Sequence, residues 1–451
     1  MDDHIIRRRG GRGPHARAAK VAAGLALLLA TPSPAASSVQ APPSLTEPAL
    51  TRAILEGVRE SSPELAARRA ELEAARARAA AVGFASPAVL SAEMDDVPDG
   101  FDVADASFRL EVGREFLTGG RSAAARALAT TDVRSAEAVL DASVRRITAR
   151  TLQHLTRIVA ASRTAARLAA EDSLLVSLQM AVRDRFSVGA ARYVDVLRLR
   201  TERLRVQNDR AGTIASELAA RESLRGLAGS DGAGTIDALV DSAVAHRAAV
   251  EEVAALPPPP PLDSLLSLSG EARLAEAALA RARASADLAR AERRPRLAGS
   301  IGAQRRVEDG SSTFGPVLGA SITLPFTAGG ANRAAAAAAE SEIAAAEAAH
   351  AATLTGVSAE LASALARYEA ARRLVEAFDV ALLQSAREER EGALAAYRTG
   401  DLTLLELLDF ERALARAEIE ALRARAAAVE TYAVLIAAAD AGGSTPSPEG
   451  R

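Results

Sequence analysis

An internal duplication is the feature that most constrains the fold of this 451-residue chain. Two neighbouring segments return 211 residues later in the same order: Phe186–Gly189 and Tyr193–Leu197, then Tyr397–Gly400 and Leu404–Leu408. A second marker, Phe116–Gly120, returns as Phe326–Gly330 at an offset of 210 residues. Markers that keep both their order and their spacing predict two copies of one structural unit.

Five consecutive prolines, Pro257–Pro261, separate the two copies, because such a run cannot form a helix. We therefore predict a first repeat over 45–230, a linker over 231–262 and a second repeat over 263–440. Each repeat is predicted to contain a helix, a β-hairpin and two further helices. Residues 441–451 are predicted to form a disordered tail.

The N-terminus has the pattern of a secretory signal peptide over residues 1–37. Six cationic side chains precede an apolar run from Val21 to Ala30, and the small residues Ala35–Ser37 follow as a cleavage site. The run is shorter than the roughly 20 residues of a membrane-spanning helix, although an uncleaved anchor is the alternative. Cleavage removes more cationic than acidic side chains, so the exported protein is predicted to be acidic.

Composition excludes several classes of protein. The chain has no Cys and therefore no disulfide, thiolate metal site, cysteine nucleophile or lipid attached at a cysteine. Aromatic residues make up 3% of the chain and hydrophobic residues 49%, which favours long packed helices over an ordinary globular core. A formal charge of −3 gives no support for binding nucleic acid.

Long helices and short strands alternate in each predicted repeat. Neither 121–184 nor 331–395 contains proline, so each is predicted to be a helix about 95 Å long. A hydrocarbon layer about 30 Å thick cannot contain such a helix. Apolar and polar residues alternate in four other segments, which predicts one two-stranded hairpin per repeat. These segments are 88–94, 108–116, 297–303 and 318–326. The predicted fold class is mainly α with two β-hairpins.

Four short strands cannot close a barrel, because about eight strands are the practical minimum. Open sheet edges are not tolerated in lipid, so hairpins that enter a membrane need several chains, and three chains would supply twelve strands. Their polar faces would line water through Arg109, Glu111 and Glu115 in the first hairpin and Ser321 and Thr323 in the second. The alternative is a water-soluble hairpin that packs on its own helices.

Four segments carry a resemblance to a known family: Ser62–Leu65, Glu292–Leu297, Phe326–Gly330 and Tyr397–Asp409. In this order and within a duplicated chain, they resemble the outer membrane factors, or TolC-like channels, of tripartite efflux pumps and type I secretion. The resemblance covers about residues 45–440. It implies a homotrimer with a twelve-stranded outer-membrane β-barrel and a long α-helical barrel in the periplasm. It further implies a periplasmic adaptor protein and an inner-membrane pump as partners, and no cofactor.

The same resemblance implies a constriction at the periplasmic end of the tunnel. Its residues would be the paired carboxylates Glu406 and Asp409, the equivalent acid Asp195 of the first repeat and the latch tyrosine Tyr397. The chain departs from the family pattern at Leu402, where better-known channels have an arginine. Arg192 or Arg398 could take the place of that arginine.

The spacing of the two carboxylates supports an acidic ring independently of the family. Glu406 and Asp409 are three residues apart and therefore share a helix face. Three copies around an axis would place six carboxylates in one ring, which attracts cations and repels anions. Crowding would raise some of their pKa values. The alternative is a solvated helix start whose acids interact with the helix dipole.

The repeated glycines mark the tips of the predicted helical hairpins. Gly189 and Gly400 are predicted to adopt the left-handed conformation that reverses each hairpin. Together with Val194 and Leu404 they define exposed apolar tips on which an adaptor could dock. The alternative is that the tip residues pack only on each other.

The cargo is predicted from a short similarity. Phe116–Arg121, with Arg126 nearby, is similar to a turn of the cation-efflux (CzcC-like) branch, which implies heavy-metal cations, with drugs or other small solutes as the alternative.

The five histidines lack ligand spacing, so no metal site is predicted. No phosphate loop, nucleophile elbow or HExxH motif occurs, so no enzyme is predicted. A secreted coiled-coil structural or adhesion protein is the rival function.

Overall fold

A computed structural model describes residues 47–82, 87–95, 106–116, 120–246, 259, 261–308, 311–324 and 329–439. The predicted signal peptide, most of the proline run and the predicted tail lie outside the described residues. The described part is mostly helical with one antiparallel sheet, so the predicted fold class of mainly α with β-hairpins is confirmed.

The same order of elements occurs in both halves of the chain. The first half contains α1 (Glu47–Ser61), α2 (Pro63–Ala81), β1 (Val89–Asp95), β2 (Ser107–Phe116), α3 (Arg121–Ser187) and α4 (Tyr193–His246). The second half contains α5 (Leu262–Leu268), α6 (Gly270–Glu292), β3 (Arg296–Glu308), β4 (Ser311–Thr323), α7 (Gly329–Ala377), α8 (Leu383–Thr399) and α9 (Leu404–Ala439). A π-helical turn, Phe378–Leu382, joins α7 to α8 and interrupts the helix predicted over 331–395.

Residues 231–246 are helical, whereas the sequence analysis assigned them to the linker. They continue α4 beyond a kink at Gly229, whose φ of 73° lies in the left-handed region. Ile236 and Val240 of this segment are buried in one cluster with Ile54 of α1. The first repeat therefore extends beyond residue 230, because the i, i+4 pair of apolar residues packs against the first helix of the chain.

The two predicted hairpins form a single four-stranded sheet. The strand order is β1-β2-β3-β4, and all three pairs are antiparallel. The pairing of β2 with β3 joins the two halves of the chain, for example through Val112 opposite Ile301. Each hairpin is thus half of a larger sheet rather than a separate unit.

One face of the sheet is mostly apolar across all four strands and includes two arginines, Arg114 and Arg305. Leu90, Val112, Ile301 and Leu318 lie in one row across the sheet, and Leu318 is 79% exposed. The exposed large apolar residues of this face are Leu90, Met94, Leu110, Val112, Phe116, Leu297, Ile301, Phe314, Leu318 and Ile322. Such a continuous exposed patch indicates contact with lipid or with another protein.

The opposite face of the sheet is polar. The Ser300 hydroxyl donates to Oε2 of Glu111 at 2.8 Å, and Arg109 lies 3.3 Å from Glu93. Glycines on β3 and β4 leave room for these side chains, since a Cβ on Gly302 would lie 2.7 Å from Cγ of Glu111. The sheet therefore separates an apolar surface from a polar one, as the alternation of residues predicts.

Both outer strands of the sheet have an open edge. Within the described residues, β1 pairs only with β2, and β4 pairs only with β3. Unpaired backbone N–H and C=O groups along an edge readily pair with another strand. The sheet therefore offers a pairing edge on each side.

The four long helical arms pack side by side. Helix α4 packs on α3, α3 packs on α9, and α9 packs on α7 and α8. Among these four arms, α4 and the α7–α8 arm are therefore the two ends of a helical row, while α1 also packs on α4 and α6 packs on α3 and α7. None of the described helices combines the length and the apolar character needed to cross a bilayer.

We expect Gly302→Ala to destabilise the sheet by about 1–3 kcal/mol, the typical penalty of overpacking. A Cβ at this position would lie 2.2 Å from the backbone oxygen of Leu110, which cannot move without breaking the β2–β3 pairing. Gly315→Ala is the matched control, because nothing lies within 4 Å of its Cβ position on the same face. Thermal unfolding of the detergent-purified protein checks this expectation, and equal midpoints for the two variants would contradict it.

Candidate functional site

The candidate site lies where the helical arms reverse direction. Gly189 ends the α3 arm with a φ of 76°, and Gly400 ends α8 with a φ of 90°. The amide of Ala190 donates to the carbonyl oxygen of Arg185 at 2.8 Å, and the amide of Asp401 donates to that of Ala396 at 2.9 Å. These bonds satisfy carbonyls at each helix end. The predicted left-handed turns are confirmed.

A shared apolar cluster holds the two reversals together. We call it the tip cluster; its buried members are Leu168, Leu175, Leu178, Val182, Leu199, Val206, Ala393, Leu404, Leu407 and Leu408. Helices α3, α4, α8 and α9 all contribute to it. The structure therefore brings the duplicated segments into one packed unit at the same end of the molecule.

One residue that the sequence analysis placed on the docking surface is buried in the tip cluster. Leu404 is only 8% exposed and packs inside the cluster, so the prediction that it lies on the exposed tip is wrong. Val194 is exposed as predicted, and Val188, Tyr193 and Leu405 are also exposed. Leu404 is buried because it begins α9 on the side that faces the neighbouring arms, whereas Leu405 points away from them.

Glu406 closes a hydrogen-bonded cap at the start of α9. Its Oε2 accepts from the Thr403 hydroxyl at 2.6 Å and from the Thr403 amide at 2.8 Å, while the Glu406 amide donates to the Thr403 hydroxyl at 3.4 Å. This is a capping box. The hydrogen bonds from the Thr403 hydroxyl and amide lower the pKa of Glu406. In a single chain, the pKa of Glu406 is therefore lowered, whereas crowding of carboxylates around an axis is expected to raise some of their pKa values.

Asp409 lies in an ion-pair chain that joins the two halves of the protein. Its carboxylate is 3.1 Å from Arg412, and Arg412 is 2.7 Å from Glu202 of α4. Glu202 is almost completely buried, and the hydrogen bond from Arg412 lowers its pKa. Asp409 is therefore an exposed carboxylate next to a structural arginine.

Asp195 and Tyr397 lie at the same end of the molecule as the other two predicted site residues. Asp195 occupies the first turn of α4 and is 3.3 Å from Arg192, one of the two arginines that could take the place of the family's arginine at Leu402. The guanidinium of Arg185 lies 5.7 Å from the centre of the Tyr397 ring, a cation–π distance. The four residues thus share one end of the molecule.

A layer of buried glutamates next to the tip cluster was missed by the sequence analysis. Glu411 of α9 is 2.7 Å from Arg390 of α8, and Glu171 of α3 is 3.8 Å from Arg167. Burial raises the pKa of Glu171. The sequence signal was the i, i+4 spacing of Arg167 and Glu171 within an otherwise apolar helix face.

The described residues contain no cluster of side chains that could hold a metal ion. His154 is partly buried on α3, where burial and the neighbouring Arg157 and Arg150 lower its pKa. His350 lies on α7. The two histidines therefore belong to different helices.

The second half of the chain matches a family model. Residues 262–440 match the family described as outer membrane efflux protein. No curated protein sequence matches the chain. The match of residues 262–440 to the family model confirms the predicted resemblance to TolC-like channels and the predicted outer-membrane localisation.

Solved outer-membrane channels have the same fold. The chain is similar to the outer-membrane channel OprN, with 20% identity, a TM-score of 0.72 and coverage of 86% of this chain and 89% of that chain. It is similar to VceC from Vibrio cholerae at 19% identity, a TM-score of 0.69 and coverage of 86% and 96%. The open-state MtrE channel of Neisseria gonorrhoeae gives 22% identity, a TM-score of 0.67 and coverage of 86% and 88%.

We expect Arg412→Gln to destabilise the protein by about 2 kcal/mol at pH 7, since it leaves Glu202 buried without its partner. The pKa of Glu202 is lowered in the folded protein, so the stability that the pair contributes is present above the unfolded value of about 4.3 and is lost at lower pH. The loss caused by the substitution should therefore shrink below about pH 4. Chemical denaturation of the variant and of the unsubstituted protein, at pH 7 and below about pH 4, measures this difference in the free energy of unfolding.

Arg423→Gln is the control for this prediction. Arg423 pairs with Glu420 on α9 at 2.7 Å, but both side chains are exposed. An exposed pair contributes at most about 1 kcal/mol, so this variant should unfold nearly as the unsubstituted protein does. A loss for Arg412→Gln that equals the control, or that does not change with pH, would contradict the structural role of Arg412.

Proposed function

We propose that this chain, whose residues 262–440 match the outer membrane efflux protein family, forms a homotrimeric conduit through the outer membrane. The main support for this proposal is that both outer edges of the four-stranded sheet are open. The conduit exports small solutes from the periplasm as the outer component of a tripartite efflux system. Proteins of this class transport solutes and are not enzymes.

The sheet supports a barrel shared between copies. One copy supplies four strands with an unpaired edge at β1 and another at β4. Three copies arranged edge to edge make twelve strands with no free edge, which satisfies every backbone group in lipid. The apolar face would then contact the lipid, and the polar face with Arg109 and Glu111 would line the water-filled interior.

The helical row supports the same assembly. Among the four long arms, α4 packs only on α3 and the α7–α8 arm packs only on α9, whereas each of the two arms between them has two neighbours. An interface between two different surfaces produces a closed ring when the rotation between copies closes. One threefold axis can therefore close both the sheet and the helices.

The carboxylates at the reversals support a constriction that favours cations. Glu406, Asp409 and Asp195 lie at one end of the molecule, and the lowered pKa of Glu406 keeps it charged at neutral pH. Around a threefold axis these acids would form acidic rings. Tyr397 lies beside them and is held by Arg185.

The exposed apolar residues of the same end support docking of a periplasmic adaptor protein and, through it, an inner-membrane pump. Val194 and the turns at Gly189 and Gly400 belong to this surface, together with Leu405 in place of Leu404. The proposed cargo is a small solute, either a heavy-metal cation, as the similarity at Phe116–Arg121 implies, or a drug. A conduit does not need to bind its cargo tightly, so no metal site in the wall is required.

Membrane fractionation tests this proposal against the rival, a secreted coiled-coil structural or adhesion protein. We expect the protein to sediment with outer membranes, to resist a carbonate wash and to run as a trimer in mild detergent. The reason is that about ten large apolar side chains on the sheet need lipid or another apolar surface. A chain that washes off as a water-soluble monomer would contradict the proposal.

Single-channel recording in planar bilayers tests the constriction. Glu406→Gln with Asp409→Asn removes charge and leaves volume nearly unchanged, so we expect a higher conductance for anions and block by trivalent cations only at higher concentration. Glu376→Gln is the control, because this exposed glutamate pairs with Arg372 on α7, away from the reversals. Unchanged conductance and block in the double variant would remove the constriction assignment and leave the channel proposal intact.

A further inference from the structure

Glu171 of α3 is a buried acid without a close counter-charge. It is 6% exposed and lies about one helical turn after Leu168 of the tip cluster. Its nearest cation is Arg167 at 3.8 Å, and that guanidinium contacts Glu418 of α9 more closely. In the part of the chain that the structure describes, no side chain donates a hydrogen bond to Glu171. An ionised carboxylate at this place gives up its water without gaining an equivalent partner.

A small cavity of about 90 Å³ lies beside Glu171 at the edge of the tip cluster. Helices α3, α4 and α9 all contribute to its wall, which includes the apolar side chains of Leu168 and Val206. Arg205 and Arg416 line the same cavity, but among the described residues neither forms an ion pair with Glu171. The acid therefore lies where three of the arms in the tip cluster meet.

Charged side chains from four helices surround Glu171. They are Arg167 on α3; Glu202, Arg205 and Asp209 on α4; Arg390 on α8; and Glu411, Arg412, Arg416 and Glu418 on α9. Arg412 lies 2.7 Å from Glu202, and Arg390 lies 2.7 Å from Glu411. Three of the arginines in this group are thus bound by carboxylates other than that of Glu171.

The surroundings of Glu171 favour its neutral form. Burial raises the pKa of Glu171. The charges of Glu202 and Glu411 add to this rise, whereas the charge of Arg167 opposes it. The folded chain therefore binds the proton more tightly than the unfolded chain, in which a glutamate titrates at about 4.3. The stability that this group contributes is highest below that pH and is lost as the pH rises through the pKa of the folded chain.

We propose that Glu171 is a proton-binding site that controls how firmly α3, α4 and α9 pack against one another next to the helix reversals. With its proton, the side chain is neutral and remains between the three arms. Without the proton, the ionised group favours conformations in which the arms separate and water reaches it. Acid therefore tightens the end of the molecule that carries the candidate site. The proton site lies within one chain, so it goes beyond the proposed conduit and does not depend on assembly.

Glu171→Gln tests the site, because glutamine has nearly the shape of a protonated glutamate and cannot ionise. We expect the unfolding midpoint of the detergent-purified variant, relative to that of the unsubstituted protein, to rise between about pH 4 and about pH 8. Glu391→Gln is the matched control, since Glu391 on α8 is exposed and forms no ion pair with any described residue. The relative midpoint of the control should not change with pH.

Infrared titration detects the proton directly, whatever the effect of the glutamine on packing. The C=O stretch of a protonated carboxyl group is absent from an ionised one. We expect a protonated-carboxyl band that persists above the pH at which exposed glutamates ionise and that is missing from Glu171→Gln. Asp209→Asn removes an exposed charge that lines the same cavity. In this variant the band should disappear at a lower pH, because Asp209 raises the pKa of Glu171.

Amide hydrogen exchange locates the effect in the chain. If deprotonation loosens the arms, the amides of α3 around residue 171 should exchange more slowly in Glu171→Gln than in the unsubstituted protein at about pH 8. The ratio of the two rates should be up to about tenfold for each unit by which the pKa is raised. Amides of α6, which is not part of the tip cluster, should exchange equally in both proteins.

The outcomes decide the proposal without deciding the conduit. A relative midpoint that rises with pH, a persistent band that Glu171→Gln removes and slower exchange in α3 support the proton site. A band that titrates together with the exposed glutamates overturns it, and so does a relative midpoint that does not change with pH. Either result leaves the proposed conduit standing, because membrane fractionation tests that proposal independently of Glu171.

Discussion

The open edges of the sheet are the constraint on which the rest of the structure depends. Backbone N–H and C=O groups along β1 and β4 have no partner strand among the described residues, and in lipid each unpaired group costs several kcal/mol. The exposed apolar face beside those edges indicates contact with lipid or with another protein. The proposed trimer would pair these edges between copies of the chain, so the proposal makes assembly a condition of a stable sheet in lipid.

The duplication also shapes the helical part of the molecule. It places equivalent helices at equivalent positions in the two halves of the chain. Glu171 of α3 and Ala415 of α9 are buried where the two halves meet, whereas Leu382 and Leu204, at the same positions of the repeat, are exposed. The trimer proposed above would cover such apolar side chains, which a single chain leaves exposed.

The residues at the helix reversals have structural partners within the chain. Glu406 caps α9 through Thr403, and Arg412 neutralises Glu202 while it contacts Asp409. A helix start is where a carboxylate is favoured by the dipole and by free amide groups. The same geometry fixes charged side chains at the reversals of the helical arms. These contacts within the chain are therefore compatible with the proposed constriction. The hydrogen bonds from Thr403 explain why the pKa of Glu406 is lowered in one chain.

The sequence by itself determined the features that depend on neighbouring residues. The duplication, the strands with period two and the left-handed turns at Gly189 and Gly400 all follow from local pattern, and so does the polar face of the sheet. Only the tertiary structure decided the pairing of β2 with β3, the burial of Leu404, the helical continuation over 231–246 and the pair of Arg412 with Glu202. Each of these joins parts of the chain that are far apart in sequence. Contacts of that kind depend on which surfaces remain uncovered once the helices have formed, and no local pattern records that.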